Sequence, residues 1–296
     1  MKDNLSAYIY FAGWRIVRWL PEDWAYNLAY RVADLLVKRN GKSVQRLRSN
    51  LSRTQPAITT LDLELLVIQA MRSYMRYWCD TFRFPDWSTD KIVGTVEVTN
   101  EHLLLDAIAA KTGVIVALPH AGNWDHAGAY FCANGIQLVT VAERLKPEKL
   151  FLKFLEYRQA MGMEVLPLDG RVLDTLTDRL NAGALVALVA DRDLSRSGID
   201  VEFFGGPARM PAGPALLALR TKAPLITAYV SYTETGIHID FNNVVLPNAG
   251  SDKEKVREIV QITAKYFERG ISDKPEDWHM LQRIWIDGDF KDRASC

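Results

Sequence analysis

The sequence predicts an α/β fold: a largely parallel central sheet flanked by helices, preceded by an N-terminal amphipathic helical extension. Two observations predict it. Residues 5–82 carry apolar side chains at spacings of three and four without strand-like alternation, which is typical of helices. After Gly94, short apolar runs alternate with helix-like stretches. Strands that alternate with helices favour a parallel sheet with helices packed on its faces.

The predicted strands are short apolar runs rich in β-branched residues. They lie at 114–118, 137–142, 184–190 and 225–230, with a later strand at 236–244. The predicted helices lie at 101–110, 147–161, 172–182, 212–221 and 252–270. The sequence contains no internal repeat or flexible linker in this part. We therefore expect residues 89–296 to form one continuous domain and residues 1–88 to form the helical extension.

The charge distribution predicts that residues 1–88 associate with an anionic membrane surface. The whole chain has 36 basic and 36 acidic residues, so its net charge does not favour nucleic acid as a partner. Residues 1–50 nevertheless carry nine basic and four acidic residues. Aromatic residues are interleaved with them: Tyr8, Tyr10, Phe11, Trp14, Trp19, Trp24 and Tyr26. This composition suits a bilayer interface; the alternative is a helical hairpin packed on the core with its charges in solvent.

Polar residues suited to catalysis follow the first predicted strand. The segment LPHAGNWDHAG (118–128) brings His120, Asp125 and His126 to the end of that strand, and the apolar run ALVALVA ends at Asp191. Ligands of parallel sheets bind beyond the carboxyl ends of the strands, so His120 and Asp191 meet there if their strands are neighbours. A histidine oriented by a carboxylate is a general base. Asp125 is the rival partner, because it lies five residues from His120.

Other roles for these residues match the sequence less well. A histidine at a strand end can simply be a structural hydrogen bonder. His120, Asp125 and His126 could hold a metal, but their spacing matches no common zinc motif, so we expect none. A serine nucleophile would need a pattern such as G-x-S-x-G, which this sequence lacks. Direct attack by a hydroxyl that His120 deprotonates is therefore the favoured chemistry.

Basic side chains and hydroxyls near the strand ends indicate a phosphorylated ligand. The segment 142–162 carries five basic residues, among them Arg158, and DRDLSRSG (191–198) adds two arginines and Ser197. The guanidinium group suits phosphate oxygens. The alternative is that each of these residues is a solvated surface group, because helix faces are often basic.

The order of several motifs resembles a known enzyme family. The segment HAGNWD fits the H-x4-D/E motif of the membrane lipid acyltransferases related to the late lipid A acyltransferases. A closer resemblance is to the actinobacterial phosphatidylinositol mannoside acyltransferases. It extends over nearly the whole chain and is carried by AGWRIVRWLPE, SYMRYWCDTFRFP, LPHAGNWDHAG, TVAERLKPEKLF, EYRQAMGMEVLPL, DRDLSRSG, VEFFG, RMPAGPA and DWHMLQ. The fold implied by this resemblance is glycerolipid acyltransferase-like.

The resemblance implies an acyl-CoA-dependent O-acyltransferase, bound peripherally to the cytoplasmic side of the cell membrane. Such an enzyme transfers a long acyl chain, usually palmitoyl, to the 6-hydroxyl of the mannose at inositol position 2 of a phosphatidylinositol mono- or dimannoside. Acyl-CoA is then a co-substrate, and no cofactor is implied. Residues 89–296 would be the acyltransferase domain, and residues 1–88 the membrane-associating region.

By motif position, the resemblance makes His120 the base and places Arg158 and Ser197 in the acyl-CoA site. The family's second catalytic residue is a glutamate where this sequence has Asp191. Aspartate is one methylene shorter, which leaves its reach to the imidazole open. Asp125 therefore stays a candidate for the same role.

The expected reaction passes through an oxyanion that needs hydrogen-bond donors. Candidates are the backbone N–H groups around Gly122 and Asn123, or the Asn123 side chain. Three alternatives to this function remain: another membrane lipid acyltransferase, for example of the lipid A type, a non-catalytic lipid-binding relative, and hydrolysis of the thioester without an acceptor.

Overall fold

The strands form two sheets in the computed structural model, which describes residues 13–142, 148–168, 170–193, 195 and 197–287. The strands of the main sheet are β1 (Val96–Thr99), β2 (Val114–Leu118), β3 (Leu138–Ala142), β4 (Glu164–Pro167), β5 (Leu185–Val189), β8 (Leu225–Tyr232) and β9 (Ile237–Asn243). A separate hairpin consists of β6 (Ile199–Phe203) and β7 (Gly206–Met210). Within the described residues, the order across the main sheet is β1-β9-β8-β2-β5-β3-β4.

The main sheet is largely parallel, which confirms the predicted α/β fold. β2 lies at its centre and pairs in parallel with β5 and β8. β3 pairs in parallel with β5 and β4, whereas β9 runs antiparallel to β8. All five predicted strands are present. The edge strands β1 and β4 and the hairpin were not predicted.

Helices precede the sheet and cover its faces. Residues 13–19 are helical and are called α1. The other helices of the described chain are α2 (Glu22–Arg39), α3 (Lys42–Thr54), α4 (Thr60–Arg83), α5 (Thr89–Gly94), α6 (His102–Ala109), α7 (Trp124–Ala133), α8 (Glu148–Ala160), α9 (Val172–Asn181), α10 (Gly213–Thr221) and α11 (Asp252–Asp273). Residues 1–12, with Tyr8, Tyr10 and Phe11, lie outside the described residues.

Helices α2 and α3 pack against α4, which in turn contacts the sheet domain. Ala25, Ala29 and Ala33 of α2 are buried against α4. Small side chains spaced by four residues lie on one helix face and allow close approach. Helix α4 in turn bonds the sheet domain, because Tyr77 donates to Asp125. The boundary expected at residue 88 stays a prediction.

The central strand β2 lies between two layers, and all five of its residues are buried. Ile115 and Ala117 pack in the core shared with α9, α10 and α11. Val116 and Leu118 pack on the opposite face, in the core shared with α6 and α7. Successive side chains of a strand point to opposite faces of the sheet, so β2 contributes to a different core on each face. No helix in the described part of the chain is long and apolar enough to cross a bilayer.

Candidate active site

The register of β2 and β5 brings His120 and Asp191 together. Leu118 pairs with Val189 at the carboxyl ends of the two strands, and His120 and Asp191 each follow two residues later. His120 Nδ1 lies 2.6 Å from Asp191 Oδ1, and the His120 backbone N–H donates to Asp191 Oδ2 over 3.1 Å. The shorter aspartate side chain therefore reaches the imidazole.

Asp191 is a buried carboxylate with several hydrogen-bond donors. It is fully buried, whereas the His120 side chain is 39% exposed. The Trp278 indole N–H donates to Asp191 Oδ2 over 3.0 Å. Burial alone raises the pKa of Asp191, but the charge of His120 and the hydrogen bonds from His120 and Trp278 outweigh it and lower this pKa. An ionised Asp191 holds a proton on His120 Nδ1, which leaves Nε2 as the basic nitrogen of a partly exposed ring.

A tight turn after His120 is held by a distant segment of the chain. Gly122 has φ +56°, and a Cβ at this position would lie 2.5 Å from the Val230 carbonyl oxygen. Ala121 forms an antiparallel bridge with Trp278. On either side of that bridge, the Gly122 N–H donates to the Asp277 carbonyl over 2.9 Å, and the His279 N–H donates to the His120 carbonyl over 2.7 Å. The backbone of His120 is therefore fixed from both sides.

Two of the groups expected as oxyanion donors, the Gly122 N–H and the Asn123 side chain, are engaged in other hydrogen bonds. The Gly122 N–H is already bonded to Asp277. The Asn123 side chain is buried, accepts the His126 N–H through Oδ1 and donates to Asp80 through Nδ2. Asn123 is thus the N-cap of α7, where an amide oxygen satisfies an unpaired N–H of the first helical turn. Its side chain sets the start of the helix instead of facing a substrate.

Asp125 bonds Arg158 and Tyr77 rather than the imidazole. Arg158 Nε donates to Asp125 Oδ1 over 2.8 Å, and the Tyr77 hydroxyl donates to Oδ2 over 2.9 Å. The Asp125 side chain is 2% exposed and that of Arg158 is 20% exposed. Burial lowers the pKa of Arg158, but the charge of Asp125 outweighs burial and raises it. This is a charged, largely buried pair, whose separation would leave an uncompensated charge.

An apolar cavity that is partly open to solvent lies against the sheet beside this ion pair. Its floor comes from five neighbouring strands, β9, β8, β2, β5 and β3, and α6, α7 and α8 also contribute to its walls. Ala187 and Val189 are central in the sheet yet partly accessible, because they face this cavity. The lining residues are Leu104, Val116, Leu118, Trp124, Asp125, Ala127, Gly128, Phe131, Leu138, Thr140, Val141, Arg158, Met163, Leu185, Ala187, Val189, Ala228, Val230, Ile239 and Phe241.

The His120–Asp191 pair and the cavity lie next to each other. The Trp124 ring lines the cavity and contacts the His120 ring edge-on, with centroids 5.7 Å apart. Leu118 and Val189, the last residues of β2 and β5, also line the cavity. A ligand chain in the cavity can therefore present its end group to His120.

Ser197 lies in the loop that begins at Asp191. It is exposed, and its hydroxyl oxygen lies 2.8 Å from that of Ser195. The Ser195 backbone N–H donates to the Asp193 carboxylate, and this local hydrogen bond orders the start of the loop. Residues 143–147 of the basic segment lie outside the described residues. Of the two residues expected in the acyl-CoA site, Arg158 lies at the cavity and Ser197 on the open loop.

His126 is a structural residue in this arrangement. It is 1% exposed, its Nε2 bonds the Ile92 carbonyl oxygen over 2.9 Å, and burial lowers its pKa to about 4. The described residues include no cluster of three or more His, Cys, Asp or Glu side chains suited to a metal.

Two residues of the site were not predicted from the sequence. Trp278 is 87 positions from Asp191 and Tyr77 is 48 positions from Asp125. Both belong to segments that carried the family resemblance, SYMRYWCDTFRFP and DWHMLQ. The presence of these segments was the available signal, but it did not show which side chain bonds which carboxylate.

The fold and the site fit one class of protein: a lipid acyltransferase with a histidine–carboxylate pair beside an apolar cavity. The chain belongs to the bacterial lipid A biosynthesis acyltransferase family, whose sequence profile matches residues 2–286. Among its relatives is the phosphatidylinositol mannoside acyltransferase of Mycolicibacterium smegmatis, 40% identical over 283 residues, which cover 94% of this chain and 90% of the relative. The enzyme of the same name from Mycobacterium tuberculosis is 38% identical over 287 residues, covering 94% and 87%. The resemblance found in the sequence is thereby confirmed.

Proposed function

We propose that this acyltransferase moves a long acyl group, palmitoyl above all, from acyl-CoA to a phosphatidylinositol mannoside. The acceptor is the 6-hydroxyl of the mannose at inositol position 2 of a mono- or dimannoside. The observation that carries the proposal is the His120–Asp191 pair at the edge of an apolar cavity. The names of the relatives support the choice of acceptor.

His120 is the general base of the proposed reaction. Its Nε2 takes the proton of the mannose hydroxyl while the oxygen attacks the thioester carbonyl. The tetrahedral intermediate then expels the CoA thiolate, and the imidazolium returns the proton to the sulfur. Asp191 stabilises the imidazolium through the 2.6 Å contact with Nδ1. Written this way, the reaction uses acyl-CoA as a co-substrate and calls for no resident cofactor or metal.

The apolar cavity is the proposed binding site of the acyl chain. Its lining residues come from five neighbouring strands. Each methylene that enters gains about 0.8 kcal/mol from burial. A long chain is therefore bound mainly through its hydrocarbon part, and its thioester end is left near Trp124 and His120.

Arg158 and Ser197 are proposed to bind acyl-CoA at the two sides of the thioester. The Arg158 guanidinium lines the cavity and is held in place by Asp125. Asp125 then supports donor binding through Arg158, instead of acting as the partner of His120. The Ser195 and Ser197 hydroxyls lie on the exposed loop after β5, which suits the phosphates of a CoA that stays in water.

An apolar stripe on α2 is the proposed membrane contact. It consists of Trp24, Leu28, Val32 and Leu35, which are 68%, 40%, 37% and 46% exposed. Their spacing places them on one helix face, away from the buried alanines. Basic residues on the same helix are exposed as well: Arg31, Lys38 and Arg39. Apolar side chains with basic neighbours suit an anionic bilayer.

The aromatic residues near the N-terminal end fall into two groups: some belong to the proposed membrane face, and others are packed in the protein. Trp19 is 92% exposed, which fits the proposed membrane face. Trp14 is 6% exposed and stacks on Phe82, so it belongs to the core and not to the proposed membrane face. Tyr26 donates to the buried Asp80.

Radiolabelled palmitoyl-CoA and a phosphatidylinositol dimannoside in vesicles test the proposed reaction. The expected product is the acylated dimannoside, and an acceptor with a 6-deoxymannose at inositol position 2 should give none. His120→Ala should abolish the product. The matched control is His102→Ala, because His102 is an exposed histidine at the start of α6. Acylation of a lipid A precursor instead would favour the lipid A-type alternative. Release of free palmitate regardless of acceptor would identify a thioesterase.

A further inference from the structure

A single buried side chain links the catalytic pair to the rest of the fold. Trp278 is fully buried, and its indole N–H donates to Asp191 Oδ2. The same oxygen accepts the His120 backbone N–H at 3.1 Å, so Oδ1 is left to face His120 Nδ1. Donors from two separate segments therefore hold the carboxylate in one orientation.

Trp278 also lies in the backbone segment that pairs with the histidine turn. It is opposite Ala121 in the antiparallel bridge, and residues 277 and 279 bond the turn on both sides. One short segment thus fixes the backbone of His120 and, through the indole, the carboxylate that faces the imidazole. The relative position of the two catalytic groups depends on this segment.

We propose that Trp278 is a positioning residue for acyl transfer: its indole N–H orients the Asp191 carboxylate so that His120 keeps its proton on Nδ1. The inference rests on the proposed function, because it takes His120 as the base. Trp278 acts through Asp191 and not on the substrates.

A second tryptophan of the same aromatic cluster provides a matched control. Trp285 lies edge-on to Trp278 with ring centroids 6.3 Å apart, and it is 8% exposed. Its indole N–H donates to the Phe203 carbonyl over 2.9 Å. Trp278→Phe and Trp285→Phe therefore remove the same kind of donor from the same cluster. The difference is that one donor serves a catalytic carboxylate and the other a backbone carbonyl.

The test compares steady-state kinetics of the two variants across pH, with palmitoyl-CoA and the dimannoside in vesicles. Trp278→Phe is expected to lower kcat by about 10- to 100-fold, the range of a hydrogen bond to a charged group. The KM for palmitoyl-CoA should stay within about twofold, because the cavity is untouched. Trp285→Phe should keep the kcat of the unmodified enzyme.

The pH profile separates positioning from general damage. Without the indole donor, the Asp191 anion is more basic and holds the imidazolium proton of His120 more tightly. The acid limb of kcat/KM should therefore move up by about one pH unit in Trp278→Phe. A purely structural defect would lower the profile equally at every pH. In an Asp191→Asn background, Trp278→Phe should cost less than about twofold, because residues that act as one unit are not additive.

A shape-preserving variant covers the case in which Trp278→Phe fails to fold. Replacement of Trp278 by benzothienylalanine exchanges the N–H for sulfur and keeps the two-ring volume. A normal kcat and a normal acid limb in this analogue or in Trp278→Phe, with His120→Ala inactive, would overturn the inference and leave the proposed function intact. An active His120→Ala would overturn both.

Discussion

The exchange of Asp191 for asparagine is the sharpest perturbation of the site, because the surrounding donors determine how the amide sits. Asp191 Oδ2 accepts from the His120 backbone N–H and from the Trp278 indole. The amide oxygen of asparagine must therefore take the Oδ2 position, since an NH2 group there would face two donors. The NH2 group then takes the Oδ1 position, 2.6 Å from His120 Nδ1.

This orientation inverts the tautomer of the base. A donating amide requires an unprotonated Nδ1, so the proton of the neutral imidazole moves to Nε2. The basic lone pair is then directed at the buried asparagine and not at the mannose hydroxyl. In the Ser-His-Asp proteases, the same exchange leaves the geometry intact and lowers kcat about 10⁴-fold. We expect a loss of at least about 10²-fold here, the lower bound for general base catalysis.

The assay is single-turnover acylation of the dimannoside, combined with ¹⁵N NMR of the histidine rings. Asp191→Asn should show Nε2–H as the main tautomer of His120 and should bind palmitoyl-CoA normally. The comparison is Asp125→Asn, which breaks the buried pair with Arg158. That change should weaken donor binding or reduce stability, because it leaves Arg158 without its partner charge.

Two results would refute this reasoning. Asp191→Asn could retain more than a tenth of the single-turnover rate, which would mean that the His120 tautomer does not control the reaction. Alternatively, Asp125→Asn could be folded, bind donor normally and be inactive, while Asp191→Asn is active. In that case Asp125 would be the functional carboxylate despite its distance from the observed histidine contact.

Three further predictions concern the cavity, the buried histidine and the membrane face. Ala187→Phe should fill part of the cavity; displacing about three methylenes at ~0.8 kcal/mol each should weaken palmitoyl-CoA binding about 50-fold and leave octanoyl-CoA less affected. His126→Gln should reduce the loss of unfolding free energy between pH 6.5 and 4. The reason is that His126, with its pKa of about 4, stays neutral in the folded chain while the unfolded chain takes up a proton, a cost of roughly 3 kcal/mol. Trp24→Ser with Leu28→Ser should lower binding to anionic vesicles at least tenfold.

Each of these has a result that contradicts it. Equal losses for both donors in the Ala187 variant would mean that the acyl chain lies elsewhere. For His126→Gln, the unfolding free energy is measured by chemical denaturation between pH 6.5 and 4. If it falls as steeply as in the unmodified protein, other groups cause the loss of stability in acid. For the membrane face, the control is Leu216→Ser, since Leu216 is an exposed leucine on α10. Equal weakening in that control would show that the effect is not specific to α2.

The buried parallel strands were predictable because burial leaves a strong pattern. β2 is apolar throughout, and it was predicted with its observed bounds. The edge strands β1 and β4 have four residues each and alternate in burial or carry a glutamate, so they leave no apolar run. Helix α7 was missed because WDHAGAYFCA begins with functional residues and contains small ones. Its start depends on the Asn123 cap rather than on a periodic apolar face.

The candidate site was predictable only as far as strand ends could be recognised. His120 and Asp191 stood out because each follows a buried strand, and a parallel sheet gathers such residues at one edge. The choice between Asp125 and Asp191 needed the register, which depends on the whole sheet. Nearness in sequence favoured Asp125, yet Asp125 lies within α7 and bonds Arg158 on α8. The sequence did not predict the contact of Trp278 either, because it joins two side chains that are 87 positions apart in the chain.

In the proposed reaction, β2 and β5 carry His120, Asp191 and part of the cavity floor, and this couples substrate fit to catalysis. Leu118 and Val189 line the cavity, and His120 and Asp191 follow them by two residues each. The depth to which an acyl chain enters therefore determines where its carbonyl lies relative to His120. A chain that is too long leaves its thioester beyond the imidazole, and a short one gains too little burial energy to stay. Selection for chain length and alignment of the reacting atoms thus follow from one geometric relation, the register between β2 and β5.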